Sequence, residues 1–416
     1  MRGNDSEIRR RIQRWHRTGD MGALWPEFSV AELLAGHGAV CATTRAMLRE
    51  PSATATLEAT SERESAALGI AAFESGMGPL LGWWVERGLV TASTGARQVL
   101  AVHLEHGRRR IAAIRQALTA ILQALHSEGV IPVLLKGLHV GSEYFPEPGT
   151  CPAGDIDLLV HPSERDAAAA GLRRAGLRES RRTVYGARSE WVPDGRAQVV
   201  HSLEFDHADN PFAVDLHTGL ERWYFRGVRA GFGESAFAHT TPIVVDGSTV
   251  RALDQPLLTA FLALHTSSEL ARMRLVRLVE LTVVIQRDRR SGVLDWTALG
   301  GLLHRTGTAR FVFPALALVE RLCPGTVENT LIARSQPYLT NRMLRVIEAV
   351  AAADMAPLRY RSLEERLVWA RGARELLLNL SELVWPTDDG LPVSVGRLQW
   401  RRVRALVRGR VGLRAR

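Results

Sequence analysis

The spacing of apolar positions divides the chain into two helical regions around one segment of strands. Apolar residues recur every three or four positions in three N-terminal stretches: 30–34, 66–73 and 99–125. Gly129 is expected to end the last of these helices. Helical spacing returns from Asp254 onward, and Asp295 is a good N-cap for a helix through Leu303.

The central segment has the pattern of a mixed sheet. Residues 130–135 (VIPVLL) are a short apolar run rich in β-branched residues, which predicts a buried strand, and 155–160 (DIDLLV) predicts a second. Ser163 and Asp166 have the spacing of a capping box for a helix over 167–175, which Gly176 ends. Three further strands are predicted from a period of two: 183–192, 197–205 and 212–216. The predicted fold class is α+β, a mixed-sheet core flanked by N-terminal and C-terminal helical regions.

Length and composition are those of a globular protein with more than one domain. The chain has 416 residues, of which 46% are hydrophobic and 23% charged. The predicted division is 1–98 (helical), 99–250 (α/β core), 251–390 (helical) and 391–416 (Arg-rich tail). No apolar run is long enough to span a bilayer, the first twenty residues are polar, and the three cysteines are widely spaced. These features predict a cytoplasmic protein.

The positive charge is concentrated at the C-terminus. The net charge is +9, and eight arginines without an acid stand in the last twenty residues, so the rest of the chain is nearly neutral. A nearly neutral body does not favour a long nucleic acid as partner, although RNA stays open. A partner protein bound through the basic tail is an alternative.

Three aspartates are the candidates for chemistry. Asp155 and Asp157 stand two apart at the start of a predicted strand, so both side chains point to one face. Asp pairs of this kind also occur as turn and capping residues. Asp215 lies within another predicted strand, with apolar neighbours on the opposite face. If the two strands are adjacent, the three carboxylates can hold two Mg²⁺, or Mn²⁺, for displacement at a phosphorus centre.

The lysine content points to one further residue. Of the 53 basic residues only Lys136 is lysine, and it stands between the first predicted strand and a short helix. Gly137 after it lets a ligand approach the backbone, and the helix N-terminus offers free N–H groups to a phosphate. A surface lysine is the alternative, but in a chain so rich in Arg an indifferent site would carry Arg.

The order of these motifs resembles the uncharacterised nucleotidyltransferase family of the DNA polymerase β-like superfamily. The motifs are Leu-Lys-Gly at 135–137, Gly-Asp-Ile-Asp-Leu-Leu-Val at 154–160 and Asp-Leu-His at 215–217. The resemblance extends to the helices before Lys136 and to about 254–322. It implies a polymerase β-like fold and an enzyme that uses an NTP.

The resemblance also implies roles for residues. Asp155 and Asp157 would bind the metals, and Asp215 would complete the metal site and assist the acceptor hydroxyl. Lys136 and Gly137 would hold the triphosphate, and Gly154 would lie at the nucleotide.

The chain departs from the family pattern at three places. Gly141-Ser142 offers a rival register for the phosphate loop, in which Ser142 would contact the nucleotide and Lys136 would lose its role. Cys151 stands where the family tends to carry Arg, and Glu280 stands where Asp is expected.

The histidines match no standard zinc pattern. His201, His207 and His217 are spread over separate predicted strands and loops. His217 is instead a candidate to orient Asp215 or to contact substrate, and His265 lies on an apolar helix face and is expected to be a core residue.

Together these features predict a Mg²⁺-dependent nucleotidyltransferase. It would move an NMP group from an NTP to a hydroxyl-type acceptor and release pyrophosphate. The acceptor is left open among a small molecule, a peptide or protein, and RNA. The alternative is a non-catalytic nucleotide-binding or scaffolding protein that acts through its helical regions and basic tail.

Overall fold

The protein is described from a computed structural model, which covers most of the chain. The described residues are 5–18, 21–50, 55–183, 187–195, 207, 209–225, 228–270, 273–356 and 367–384. The predicted strand 197–205, His201 and the basic tail 391–416 lie outside these residues.

The N-terminal region is mainly helical, as predicted, but it also contains a small parallel sheet. Its elements are α1 (Asp5–Thr18), α2 (Val30–Arg49), β1 (Ala55–Leu57), α3 (Glu62–Glu74), α4 (Gly78–Glu86), β2 (Val90–Ala92) and α5 (Thr94–Ser127). The pairing of β1 with β2 was not predicted, because three-residue strands are too short to show a period. Helix α5 ends at Ser127, and Gly129, two residues later, has a φ of 75° that disfavours other residue types. Because α5 begins at Thr94, one helix crosses the proposed boundary between 98 and 99.

The central region forms a mixed sheet. Its elements are β3 (Val133–Leu134), α6 (Lys136–Glu143), β4 (Asp155–Leu159), α7 (Arg165–Arg174), β5 (Leu177–Arg182), β6 (Arg188–Pro193), β7 (Ala213–His217), β8 (Arg222–Phe225), β9 (Val228–Ala230), α8 (Ser235–Ala238), β10 (Thr240–Val245) and β11 (Ser248–Leu253). Seven strands form one sheet in the order β10-β11-β3-β4-β7-β6-β5, and β8 pairs with β9 separately. At its centre β4 runs antiparallel to β3 and parallel to β7.

The two faces of the sheet pack against different helices. One face packs against α5 and α7 through four alternating strand residues: Ile156, Leu158, Val214 and Leu216. The other face carries Leu159, which belongs to the larger apolar cluster shared by the N-terminal and C-terminal helices. Asp155 and Asp157 alternate with the first set, so they lie on the face where these helical regions pack.

The C-terminal region is helical, as predicted. Its helices are α9 (Leu257–Ser267), α10 (Leu275–Arg290), α11 (Trp296–Thr306), α12 (Ala309–Leu322), α13 (Asn329–Ser335), α14 (Asn341–Ala352) and α15 (Gly372–Val384). Asp295 caps α11, accepting a hydrogen bond from the Thr297 N–H at 2.8 Å. Among the described helices, none combines the length and the apolar character needed to cross a bilayer.

Two local predictions of the central region were wrong. The predicted strand 183–192 begins too early, because β6 starts only at Arg188 and pairs antiparallel with β5 (Leu177–Arg182), while residues 184–186 lie outside the described part of the chain. The predicted capping box of Ser163 and Asp166 does not form. Instead His161 and Glu164 cap a short 3₁₀ turn that precedes α7, because Pro162 starts that turn two residues earlier.

The hairpin of β10 and β11 was missed although the sequence contains its signal. Asp246 and Gly247 have φ of 49° and 78°, the left-handed pair that an Asp-Gly turn supplies. The flanking strands are rich in Thr and Val. Through β11 this hairpin extends the sheet next to β3.

Candidate active site

Two adjacent parallel strands bring the three aspartates to one face. In the register of β4 and β7, Asp157 is opposite Asp215 and Asp155 is opposite Ala213. Asp157 and Asp215 are buried, at 4% and 3% exposure, while Asp155 is half-buried at the strand's start. The adjacency of the two strands, which the sequence could only assume, is confirmed.

Lys136 contacts Asp157. Its Nζ lies 3.1 Å from Oδ2 of Asp157, and the residue is only 9% exposed. Its backbone has a φ of 25°, a conformation that costs a non-glycine residue about 1 to 3 kcal/mol and persists only where the surrounding structure enforces it. The lone lysine of the chain is therefore an internal counter-ion of the aspartates and not a surface residue.

Asp157 is held in its charged form by two cationic or polar neighbours. Burial by itself raises the pKa of a carboxyl group, but the Lys136 ammonium and the His217 imidazole outweigh it and hold the pKa of Asp157 well below its usual value. His217 Nε2 lies 3.3 Å from Oδ1 of Asp157. The histidine thus contacts Asp157, whereas the sequence made it a candidate to orient Asp215 or to contact substrate.

Asp215 has a different environment. Burial, together with the negative charges of Asp157 and Asp155, raises the pKa of Asp215 above its usual value, although the Arg188 guanidinium acts in the opposite direction. Arg188 lies 2.5 Å from Oδ2 of Asp215. Oδ1 of Asp215 is buried and has no hydrogen-bond partner among the described residues.

Arg188 is a site residue that the sequence analysis missed. It lies on β6, opposite His217 in the antiparallel register with β7, and its side chain is 41% exposed. Nothing in the sequence distinguishes it from the other arginines, since only the strand order brings it to Asp215.

The residues present fit a divalent metal ion. Ligand atoms of Asp157, Asp215 and His217 all lie within 4.8 Å of one another. Carboxylate oxygens suit Mg²⁺ and Mn²⁺, and an imidazole nitrogen is accepted better by Mn²⁺. The unpartnered Oδ1 of Asp215 is the kind of buried acceptor that a cation satisfies.

One arginine binds the loops that precede β4 and β7. Arg110 of α5 is 2% exposed and donates to backbone carbonyls that precede β4 and β7. Its Nη2 lies 3.0 Å from the carbonyl oxygens of both Gly154 and Pro211, its Nε lies 3.4 Å from that of Ala153, and its Nη1 contacts that of Asn210. The starts of the two strands are therefore held by a single side chain.

Two of the departures from the family pattern contact each other. Cys151 Sγ donates to Oε1 of Glu280 at 3.4 Å, and Arg277 of α10 binds the same carboxylate at 2.7 and 2.9 Å. Burial raises the pKa of the Cys151 thiol well above its usual value, so it is a thiol here. Although residue 151 is not Arg, a guanidinium reaches this cluster from α10.

The predicted nucleotide-binding residues lie at different places on α6. Lys136 and Gly137 form its first turn, where backbone N–H groups are free. Ser142 is exposed and lies in the last turn, where carbonyl groups are free. Gly154 is exposed directly before Asp155. The geometry at the helix N-terminus therefore favours Lys136-Gly137 over Gly141-Ser142 as the register for an anion.

His265 is a satisfied internal histidine, as expected. It is 7% exposed and its Nδ1 accepts from Arg222 of β8. Burial and the charges of Lys136 and Arg222 lower its pKa well below the usual value, so the imidazole is neutral.

Comparisons with known proteins identify a family and a distant structural neighbour. A family model with the description "Uncharacterised nucleotidyltransferase" matches residues 72–324. No curated protein sequence matches the chain significantly. A solution structure of the antibiotic-resistance factor ANT(2'')-Ia is similar at 14% identity, covering 44% of this chain and 95% of that one, with a TM-score of 0.28. That score is too low to carry an argument about the fold.

Proposed function

Since the chain belongs to the uncharacterised nucleotidyltransferase family and is a nucleotidyltransferase, we propose that it transfers an NMP group from an NTP to a hydroxyl-type acceptor and releases pyrophosphate. The reaction depends on Mg²⁺ or Mn²⁺ at the face of the sheet that carries Asp155, Asp157 and Asp215. The family match covers the three motifs that supply the aspartates and Lys136.

One observation carries this proposal. Asp157 and Asp215 are buried directly opposite each other on adjacent parallel strands, and one oxygen of Asp215 has no donor within the part of the chain that the structure describes. Two buried acids side by side are unfavourable unless cations compensate them. A structural pair of this kind would be expected to have both carboxylates fully hydrogen-bonded, which supports a site built for a cation.

The chain's own residues then have separate roles. A divalent ion, when bound, neutralises charge on the triphosphate and favours in-line displacement. The first turn of α6, with Lys136 and Gly137, binds phosphate oxygens through free N–H groups and the ammonium. Arg188, half-exposed beside Asp215, neutralises that carboxylate and is open to the substrate. Asp215 orients the acceptor hydroxyl.

The test is label transfer from each α-³²P-labelled NTP with Mg²⁺ or Mn²⁺ and panels of small-molecule, peptide and RNA acceptors. The variant carries Asp155→Asn and Asp157→Asn together, which removes two charges and keeps the side-chain size. We expect label transfer and pyrophosphate release to fall at least about 1,000-fold, the scale of an essential catalytic group.

The matched control is Asp194→Asn. Asp194 lies after β6, four residues beyond the Glu190 that is opposite Asp215, and its side chain is 68% exposed and ion-paired with Arg178. Activity of the control should equal that of the wild type. Equal label transfer by the double variant and the wild type would contradict the proposed function.

A further inference from the structure

Both oxygens of Asp157 already have protein partners. The ammonium of Lys136 lies on Oδ2 at 3.1 Å and the imidazole of His217 on Oδ1 at 3.3 Å. In a two-metal site a carboxylate can bridge the ions by giving one oxygen to each. On Asp157 one of those two oxygens is in contact with a charged residue, Lys136, that is itself only 9% exposed.

The ligand atoms converge on one point. Asp157, Asp215 and His217 bring one ligand atom each to within 4.8 Å of the others, and Asp155 is not part of this group among the described residues. Asp215, whose Oδ1 has no hydrogen-bond partner among the described residues, belongs to the same group. One ion can therefore be shared by the two buried carboxylates, while the other side of Asp157 holds Lys136.

The backbone of Lys136 shows that this placement is enforced. Its φ of 25° is unusual for a residue with a side chain, and it stands at the first position of α6 with glycine after it. Arginine is otherwise the only basic residue in the chain. The lysine ammonium is a compact point charge with three rotatable N–H donors, whereas the arginine guanidinium is a planar fork. The ammonium therefore resembles a small metal cation more closely than the guanidinium does.

We propose that the Lys136 ammonium takes the place of the second metal ion, so that this nucleotidyltransferase works with a single divalent ion between Asp157 and Asp215. The inference rests on the proposed function. It replaces the two-ion site expected from the sequence with one ion and one fixed ammonium, both in contact with Asp157.

The first experiment counts ions. The full-length protein is saturated with a non-hydrolysable α,β-methylene NTP in Mn²⁺ buffer, and the Mn²⁺ content of the complex is measured after gel filtration in the same buffer. We expect one Mn²⁺ per chain. Two Mn²⁺ per chain would overturn the inference and leave the proposed function standing. No Mn²⁺, with or without the NTP analogue, would overturn both.

The second experiment uses Lys136→Gln, with Lys136→Arg as the charge-keeping control. Without nucleotide, removal of the ammonium should tighten Mn²⁺ binding about tenfold or more, because a like charge next to the ion is lost. With the NTP analogue, the Gln variant should bind a second Mn²⁺, and the Arg variant should bind only one.

A decrease in Mn²⁺ affinity on Lys136→Gln, or an unchanged count of one with the NTP analogue, would mean that Lys136 only holds Asp157 in place, and would overturn the inference. Circular dichroism and thermal unfolding of each variant check the fold. If the Gln variant does not fold, the number of Mn²⁺ ions per chain in the wild-type complex with the NTP analogue decides between one ion and two.

Discussion

Arg110→Ala is expected to destabilise the protein and to weaken metal binding together. The side chain is 2% exposed and contacts four backbone carbonyls, those of Ala153, Gly154, Asn210 and Pro211. Each hydrogen bond contributes about 1 kcal/mol net, and buried carbonyls left without a donor make the loss larger. The free energy of unfolding should therefore fall by about 4 kcal/mol, with an expected range of about 3 to 5.

The assay is urea unfolding followed by circular dichroism, with thermal unfolding beside it. For a chain of this length, about 4 kcal/mol corresponds to a decrease in Tm of roughly 4 to 5 °C if unfolding is two-state. Below that transition, Mn²⁺ affinity should still fall about tenfold, because Gly154 directly precedes Asp155 and Pro211 lies four residues before Asp215.

Two further variants test whether the loss of stability and of Mn²⁺ affinity is specific to the hydrogen bonds of Arg110. Arg109→Ala removes the neighbouring arginine, whose side chain is 56% exposed and lies 4.0 Å from an exposed aspartate, so stability should change by less than about 0.5 kcal/mol. Arg110→Lys keeps the charge but has three donors, and it should lie between wild type and Arg110→Ala. The reasoning is refuted if Arg110→Ala is no less stable than Arg109→Ala, or if its Mn²⁺ affinity is unchanged.

Three further predictions concern other positions. Gly107→Ala places a Cβ against the carbonyl oxygen of Gly149, where α5 meets the loop before β4, and should lower the free energy of unfolding by about 1 to 3 kcal/mol in urea. Gly137→Ala meets its nearest atom at 3.6 Å, so the Tm should be retained while NTP affinity, measured by calorimetry, falls about tenfold as the new methyl group meets the phosphates. His139 is buried, which lowers its pKa to about 4, so it is neutral in the fold. Between pH 6.5 and pH 4 the unfolded chain binds the extra proton, and stability should fall with pH by up to about 3 kcal/mol, a slope that His139→Gln reduces.

Each of these has a contrary result. If Gly107→Ala is as stable as the wild type, α5 and the loop before β4 can move apart without loss of unfolding free energy. If Gly137→Ala binds NTP as tightly as the wild type, the phosphates do not lie at Gly137. The same pH slope in His139→Gln and wild type would assign the acid sensitivity to other groups.

The helices and the central strands were predictable from local pattern, because the burial of one face imposes its period on the sequence. Helix α5 and strands β4 and β7 were found within a few residues of their actual bounds. Short strands such as β1 and β2 carry too few residues for a period. The Asp-Gly turn between β10 and β11 was a readable signal that was overlooked.

The residues of the candidate site also fall into two groups: those that the local sequence pattern reveals and those that only the strand order brings together. Asp155, Asp157, Asp215 and Lys136 were recognisable because an acid in an apolar strand, and one lysine among many arginines, are unusual in their local context. Arg188 was not recognisable, because the sequence says nothing of which strand pairs with β7.

By itself the sequence determined the family, the residue types of the site and the faces on which they lie, since these depend on spacing along one strand or helix. Only the tertiary structure decided that Asp157 is opposite Asp215, that Lys136 lies on Asp157, and that Arg110 joins the two loops before their strands. The physical reason is that these contacts join residues far apart in the chain, and strand order and register arise from the packing of the whole sheet between its helices.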